Sequence, residues 1–235
     1  MVELAETFSL EKVHKAGAIF DIEKLDWFNW QWQKRLYNEK LASLAKEIDE
    51  NVQITNPKKG EFKYEFSDKE AEEVFYIKRT DELKTVCDKY VHEDMKKDGN
   101  KYRKAILTIE EKILKEPEKT EDFIKFYFSE KDYNVTLLTH EKMKVDYPTA
   151  KKALKNAYNK LEKLGNFDSQ TEIQNMLMEA INELQLKNGQ VLWPVRAALT
   201  GEEFSPGVFE VAFVLEKEES LKRLKKALEK LEKET

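Results

Sequence analysis

The sequence is short of the residues that build disulfides, sheets and membrane spans. Its single cysteine, Cys87, excludes a disulfide within the chain and fits a reducing compartment. Seven glycines and five prolines in 235 residues provide little material for the turns of a many-stranded sheet. No apolar run approaches the roughly 20 residues that span a bilayer, and the first residues lack the apolar centre of a secretory leader. We therefore expect a cytoplasmic chain with no membrane partner.

The residues of common catalytic and metal sites are equally scarce. The three histidines, His14, His92 and His140, stand alone, and no cysteine–histidine cluster has the spacing of a zinc site. No glycine-rich loop follows a predicted strand, so no phosphate cradle is indicated. Carboxylates are plentiful but show no pattern that favours acid–base chemistry. We predict no catalytic residue, no metal and no cofactor in this chain.

What the sequence does contain is charge with helical periodicity. Charged residues make up 37% of the chain, and apolar residues recur every third or fourth position. The clearest stripe runs through Ala150, Ala153, Leu154, Ala157, Tyr158 and Leu161. Alternating residues at 52–55 and 61–66 flank a turn and predict one small β-hairpin or an extended excursion. The sequence thus predicts an all-α, multi-helix protein with at most one minor hairpin.

Tryptophans crowd into the predicted N-terminal helix. Trp27 and Trp30 share helical spacing, so we expect both to fill the core between helices. Trp32 faces elsewhere, and it is the one tryptophan in this cluster whose ring we expect to be free to stack on a nucleic-acid base.

The last predicted helix, Ser220–Lys233, has two distinct faces. Leucines occupy one face, and the other carries Lys222, Arg223, Lys225 and Lys226. This basic face either holds a nucleic acid or is a solvated surface paired with Glu229 and Glu232. The net charge of −5 weakens the electrostatic attraction of a nucleic acid to the chain as a whole. A chain that binds nucleic acid would therefore need its cations on one face.

The most informative stretch is Gly189–Phe209. Pro194 is typical of the start of a helix and Gly201 of its end, whereas Ser205 and Pro206 suit the N-cap and first position of the next helix. Arg196 lies between these signals. A guanidinium beside free backbone N–H groups suits the edges and phosphates of an unstacked nucleotide.

This stretch resembles the anticodon-binding end of bacterial-type glutamyl-tRNA synthetases. That family has the pattern G-Q-x-x-x-P-x-R-x-A-L-T-G followed by P-G-x-F-E. Here the matching residues are Gly189, Gln190, Pro194, Arg196, Ala198, Leu199, Thr200, Gly201, Pro206, Gly207, Phe209 and Glu210. A second block, Phe8–Val13 and Phe20–Trp27, resembles the helical segment after the family's catalytic domain.

The resemblance implies specific roles at the anticodon. Arg196 matches the arginine that contacts the middle base, a uridine in glutamate tRNAs, and Ser205 matches a small hydroxyl residue at that base. Pro206 and Val208 match positions that pack on its face. The alternatives without a role in RNA binding are a surface ion pair for Arg196 and an N-cap for Ser205. Ser205 could also be both an N-cap and a base contact. Further contacts are expected from Lys112, Lys222, Arg223 and Lys226.

One position departs from the family pattern. Discriminating members read the first anticodon base with an arginine in a stretch resembling E-R-x-x-x-L. The best match here, Glu110–Leu114, has no arginine, and Lys112 is the only nearby cation. Either the chain tolerates both glutamate and glutamine tRNAs, or Lys112 or Arg103 substitutes.

The predicted organisation follows from the resemblance. Residues 1–75 form a helical linker with an insertion near 50–66, residues 76–128 a first anticodon-binding subdomain, and residues 129–235 a second. The family's His-x-Gly-His and Lys-Met-Ser-Lys signatures for ATP are absent, so ATP would bind a catalytic domain outside this chain. We expect a tRNA-binding part, without ligase activity alone and without a DNA partner. It is either a piece of a longer synthetase or free-standing. The alternative is a helical protein–protein module that docks through its last helix.

Overall fold

A computed structural model describes residues 21–58, 61–167 and 169–233. These residues form ten α-helices and one two-stranded antiparallel hairpin, which confirms the predicted fold class. The elements are α1 (Ile22–Ile48), β1 (Gln53–Lys58), β2 (Glu61–Glu65), α2 (Lys69–Cys87), α3 (Glu93–Lys96), α4 (Gly99–Leu107), α5 (Glu110–Lys115), α6 (Thr120–Phe128), α7 (Tyr147–Lys163), α8 (Gln170–Leu184), α9 (Asn188–Thr200) and α10 (Val208–Lys233). The segment Phe8–Val13 and residue His14 lie outside the described residues.

The chain divides into two compact units, Met1–Glu72 and Glu73–Thr235. The three-segment organisation drawn from the sequence stays a prediction. In the first unit, Asp21 caps α1, because its carboxylate accepts the Lys24 N–H at 3.0 Å. The hairpin pairs Ile54 with Tyr64.

Asp49 ties the end of α1 to the segment after the hairpin. Its two carboxylate oxygens accept the backbone N–H groups of Asn51 at 2.9 Å and Ser67 at 2.7 Å. The hydrogen bond from Ser67 is the main reason that the pKa of Asp49 lies below its ordinary value. These bonds fix the base of the hairpin against the helix that precedes it.

The prediction that Trp27 and Trp30 fill a core is wrong in the described part of the chain. Trp27 is 56% exposed and Trp30 only half-buried, and α1 buries just Leu41 and Ala45. Helical spacing places side chains on one face, but burial also requires an element opposite that face. Trp32 is exposed as expected, and the Arg35 guanidinium lies 5.4 Å from its ring centre. Its contact with RNA stays a prediction.

The core of the second unit lies among α7, α8, α9 and α10. The predicted stripe on α7 is confirmed: all of its members are fully buried except Tyr158, which is half-buried. Asp146 caps α7 and Ser169 caps α8, each accepting a backbone N–H two or three residues onward. These four helices form the platform from which the loop between α9 and α10 projects.

Helix α9 begins earlier than its proline suggests. The Gln190 side chain accepts the Lys187 N–H at 3.0 Å, so the helix starts at Asn188 and Pro194 falls inside it. The predicted end is confirmed, because Gly201 adopts φ 66° immediately after Thr200. A Cβ atom at Gly201 would also lie 3.1 Å from the Tyr133 ring. Glycine is therefore required there for two independent reasons.

Ser205 and Pro206 do not start the next helix. Helix α10 begins at Val208, where the Glu210 carboxylate accepts the Gly207 N–H at 2.7 Å. The Ser205 hydroxyl has other partners. It accepts a hydrogen bond from Arg196 and donates one to the Pro206 carbonyl at 3.2 Å. The N-cap prediction is wrong because a tertiary partner competes for that hydroxyl.

Helix α10 is interrupted at Glu216, which has φ 62° and ψ 175°. This region of backbone space is strained for any residue except glycine. The buried Ser220 hydroxyl donates to the Ala212 carbonyl across this break, at 3.4 Å. The Glu216 carboxylate contacts Lys104 at 3.1 Å.

Replacing Glu216 with glycine should therefore make the protein more stable than replacing it with alanine. Both variants lose the contact with Lys104, but only glycine relieves backbone strain, which costs on the order of 1–3 kcal/mol. We expect the glycine variant to exceed the alanine variant by about 1 kcal/mol in unfolding free energy, measured by urea denaturation. In an ordinary helix interior alanine is the more stable of the two, so the usual order would contradict the assigned strain.

The leucine face of α10 is part of the core. Leu224 and Leu231 are almost fully buried, and Leu221 and Leu228 are half-buried against the same cluster. The face that the alternative function would use for docking is therefore occupied within this chain.

Candidate nucleic-acid interface

Arg196 projects from α9 toward the loop that follows it. Its Nη1 donates to Ser205 Oγ at 2.7 Å, and its Nη2 donates to the Glu203 carbonyl at 2.8 Å. A guanidinium carries five N–H donors, so these bonds leave three donors for a ligand. The structure thus brings Arg196 and Ser205 together, as the sequence predicted, through a direct hydrogen bond that the sequence did not show.

The Arg196 guanidinium is also held from one side by Trp193. Its Cζ lies 4.8 Å from the indole ring centre, a cation–π arrangement. The indole is fixed in turn: its N–H donates to the Leu137 carbonyl at 3.0 Å, and the His140 ring meets it edge-on at 4.2 Å. Sequence reasoning missed Trp193, although its position three residues before Arg196 places both on one face of a helix.

Partial burial alters the electrostatics of Arg196 without removing its charge. Burial lowers the pKa of the guanidinium from its ordinary value, and the Glu203 carboxylate acts in the opposite direction. Arginine remains protonated at neutral pH because its ordinary pKa is so high. A charged group that is half-buried and incompletely hydrogen-bonded is well placed to donate to an anion or a base carbonyl.

The loop between α9 and α10 is tied at both ends. The Thr200 hydroxyl donates to the Arg196 carbonyl at 2.9 Å and accepts the Glu202 N–H at 3.1 Å. Glu202 also pairs with Lys131 at 2.9 Å. With the two bonds from the guanidinium, these contacts hold residues 202–205 in one conformation.

Ser205 and Pro206 line a small cavity, of about 200 Å³, that also contains Lys112. Three lysines face two carboxylates around it, which makes its lining net positive. The full lining is Lys112, Asp122, Phe123, Lys125, Phe126, Lys131, Glu202, Phe204, Ser205 and Pro206. The structure therefore places Lys112 in the lining of the same cavity as Ser205, the hydrogen-bond partner of Arg196, although 93 positions separate Lys112 from Ser205 in the sequence.

The surroundings of Lys112 and Arg103 differ sharply. The Lys112 ammonium lies 4.8 Å above the Phe123 ring, with the side chain exposed. Arg103 is instead bound to α2, where it donates to Thr80 Oγ1 at 2.6 Å and pairs with Asp81. The roles of Arg103 and Lys112 as alternative substitute readers of the first base stay predictions.

Val208 does not line this cavity. It is 5% exposed and belongs to the core cluster. The expectation that its side chain packs on the face of a base is corrected: it lies beneath the start of α10, where burial of an apolar side chain stabilises the helix.

The three cations predicted on α10 have different environments. Lys222 is 63% exposed and pairs with Glu219, and Lys226 is 50% exposed and pairs with Glu130. Arg223 is only 3% exposed, and its Nη1 donates to the carbonyls of Phe126 and Leu199. Arg223 as an RNA contact is therefore wrong, because the side chain is buried and its Nε and Nη1 donors are used inside the protein.

Lys222 and Lys226 are also absent from the lining of the cavity at Ser205. Lys222 lines a separate concavity of about 760 Å³ with Lys104 and Glu216. The structure does not bring these two lysines together with Arg196, and their contact with RNA stays a prediction.

The described ranges contain neither a membrane-spanning helix nor a metal-binding cluster. In residues 21–58, 61–167 and 169–233, no helix is both long and apolar enough to cross a membrane. The same residues contain no cluster of three or more histidine, cysteine, aspartate or glutamate side chains that could hold a metal ion.

Glutamate–tRNA ligases are among the known proteins that this chain resembles. The chain is 31% identical over 233 residues to a glutamate–tRNA ligase of Clostridium tetani, covering 99% of this chain and 38% of the relative. It is 29% identical to a glutamate–tRNA ligase of Clostridium botulinum, covering 98% of this chain and 39% of that protein. The chain thus spans about two fifths of the length of these curated relatives.

A solved structure supports the fold. The crystal structure of a glutamate tRNA ligase from Elizabethkingia meningosepticum, in complex with its amino acid, superimposes with a TM-score of 0.50 at 23% identity. The match covers 97% of this chain and 36% of that one. The family model described as the anticodon binding domain matches residues 78–228, which is more than half of the sequence. The resemblance inferred from residues 189–210 is confirmed, and the chain belongs to the anticodon binding domain family.

Proposed function

We propose that this chain binds the anticodon loop of glutamate tRNA and is the tRNA-reading part of a glutamate–tRNA ligase. Attachment of glutamate with ATP would require a catalytic domain outside these residues, because both ATP signatures are missing from the sequence. We place the protein in the cytoplasm, and the buried, unpaired Cys87 is compatible with that compartment.

The observation that supports this proposal most directly is the hydrogen bond from Arg196 to Ser205, a residue that lines a net positive cavity. The guanidinium is held by Ser205, Glu203 and Trp193, yet retains free donors. Preorganised donors lose little entropy when they meet a ligand. An unstacked uridine offers carbonyl oxygens that such donors can reach, while Pro206 offers an apolar surface to its ring.

The proposal is tested by equilibrium binding of the full chain to an anticodon stem-loop of glutamate tRNA at physiological salt. The matched control is the same stem with its three anticodon bases exchanged. Binding that is no tighter to the authentic loop than to the exchanged one would refute anticodon reading. A glutamine tRNA stem-loop, measured alongside, decides whether glutamate and glutamine tRNAs are discriminated.

Lys112 should contribute to affinity through the phosphate backbone. If its ammonium neutralises one phosphate, the Lys112→Gln variant should lower the slope of log affinity against log salt by about 0.7. The loss should be similar for all loop sequences, since phosphate contacts carry no base information. The control is Lys115→Gln, an exposed lysine on the same short helix α5 that does not line the cavity. An equal change in both variants would show that Lys112 has no specific contact.

A further inference from the structure

Phe204 is the most exposed of the large hydrophobic residues in the described ranges. Its relative exposure is 81%, whereas the next, Ile22, has 64%. A single exposed apolar side chain is ordinary on a protein surface. Phe204 differs because its ring lines the cavity that also contains Ser205, Pro206 and Lys112.

The backbone on both sides of Phe204 is fastened by one guanidinium. Arg196 donates through Nη2 to the carbonyl of residue 203 and through Nη1 to the hydroxyl of residue 205. The exposed ring therefore stands on a segment whose two neighbours are anchored to α9. A ring presented in this way loses little backbone freedom when a ligand covers it.

The surroundings of the ring favour a planar, electron-rich ligand linked to phosphates. Phe123 and Pro206 provide further apolar surface. Lys125 and Lys131 are paired with Asp122 and Glu202 in the same lining, so Lys112 supplies its excess positive charge. The volume of about 200 Å³ lies below the roughly 300–1,000 Å³ of pockets that enclose drug-sized ligands. The opening therefore suits one base rather than an enclosed nucleotide.

From this geometry we propose that Phe204 is a base-stacking platform: its ring covers the face of an unstacked loop base next to the base held by Arg196. This inference rests on the proposed function and adds a specific residue to it. Stacking on an aromatic ring tolerates any base, because every base has a π-face. Phe204 thus contributes affinity, whereas Arg196 contributes discrimination.

The test is binding of the full chain to the authentic glutamate anticodon stem-loop with a fluorescent base analogue in the loop. Phe204→Ala should weaken binding about 5- to 30-fold, the lower part of the range for one stacked base. Phe204→Trp should bind about as tightly as the wild type and should quench the fluorescence of the base analogue. Tyr90→Ala is the matched control, since Tyr90 is an exposed aromatic residue that does not line this cavity. Thermal unfolding should be unchanged in Phe204→Ala.

The double variant Arg196→Ala with Phe204→Ala measures whether the two residues act together. Because Arg196 anchors both neighbours of Phe204, the double variant should lose less affinity than the two single losses combined. If Phe204→Ala binds as tightly as the wild type while Arg196→Ala is weakened, the stacking inference fails and the proposed function stands. If the wild type does not prefer the authentic loop, the proposed function fails and the stacking inference fails with it.

Discussion

Replacing Arg196 with alanine should weaken binding to the glutamate anticodon stem-loop by about 5- to 150-fold, which corresponds to roughly 1–3 kcal/mol for a good bidentate base contact. The structural reason is that one side chain has two functions. It retains donors for the base, and it fixes the loop at residues 203 and 205. Filter binding or fluorescence anisotropy at fixed salt would measure the loss.

Two further variants separate these functions. Arg196→Lys keeps the charge but lacks the planar fork, so it should recover little of the lost affinity. Ser205→Ala removes one anchor and leaves the guanidinium, so its loss should be smaller than that of Arg196→Ala. Unfolding curves for all three variants establish that the folded state is intact. An Arg196→Ala protein that is folded and binds like the wild type would refute the site.

Replacing Arg223 with methionine should lower the free energy of unfolding by about 3–5 kcal/mol, the cost of breaking a buried ionic group from its partners. The side chain is 3% exposed, donates to two backbone carbonyls and pairs with Glu219 at 2.8 Å. Methionine fills much of the volume but leaves those carbonyls without their donor. Denaturation by urea, followed by circular dichroism, measures the change.

Lys222→Met is the matched control for this experiment. Lys222 is adjacent in sequence and pairs with the same Glu219, but its side chain is 63% exposed. Its replacement should change the unfolding free energy by no more than about 0.5 kcal/mol. Equal denaturation midpoints for Arg223→Met and the wild type would show that the two carbonyl contacts do not stabilise the fold.

Local sequence patterns predicted the elements whose causes are local. The stripe on α7 and the glycine that ends α9 depend on side-chain spacing or on backbone conformation within a few residues. The Arg196 site could also be predicted from the sequence, because its residue types match a family pattern. In each case the information lies in a short stretch of chain.

Predictions failed where a distant partner decides the outcome. Ser205 looks like an N-cap until Arg196 takes its hydroxyl, and Trp27 looks like a core residue although nothing described covers it. The sequence placed Arg223 on a basic face, but its guanidinium donates to the carbonyls of Phe126 and Leu199 inside the protein. Lys112 reaches the cavity only because α5 folds back toward the loop after α9. None of these contacts can be predicted from the residues that are adjacent in the sequence.

The burial of Arg223 has a consequence for how fast the proposed RNA ligand would bind. The two carbonyls that it binds belong to the last turns of α6 and α9, so one cation joins two helix ends whose partial negative charges it also offsets. Both helices lead into segments that border the opening at Ser205. Segments anchored in this way have little to rearrange when a loop arrives, and association is then governed by diffusion and orientation rather than by a slow ordering step.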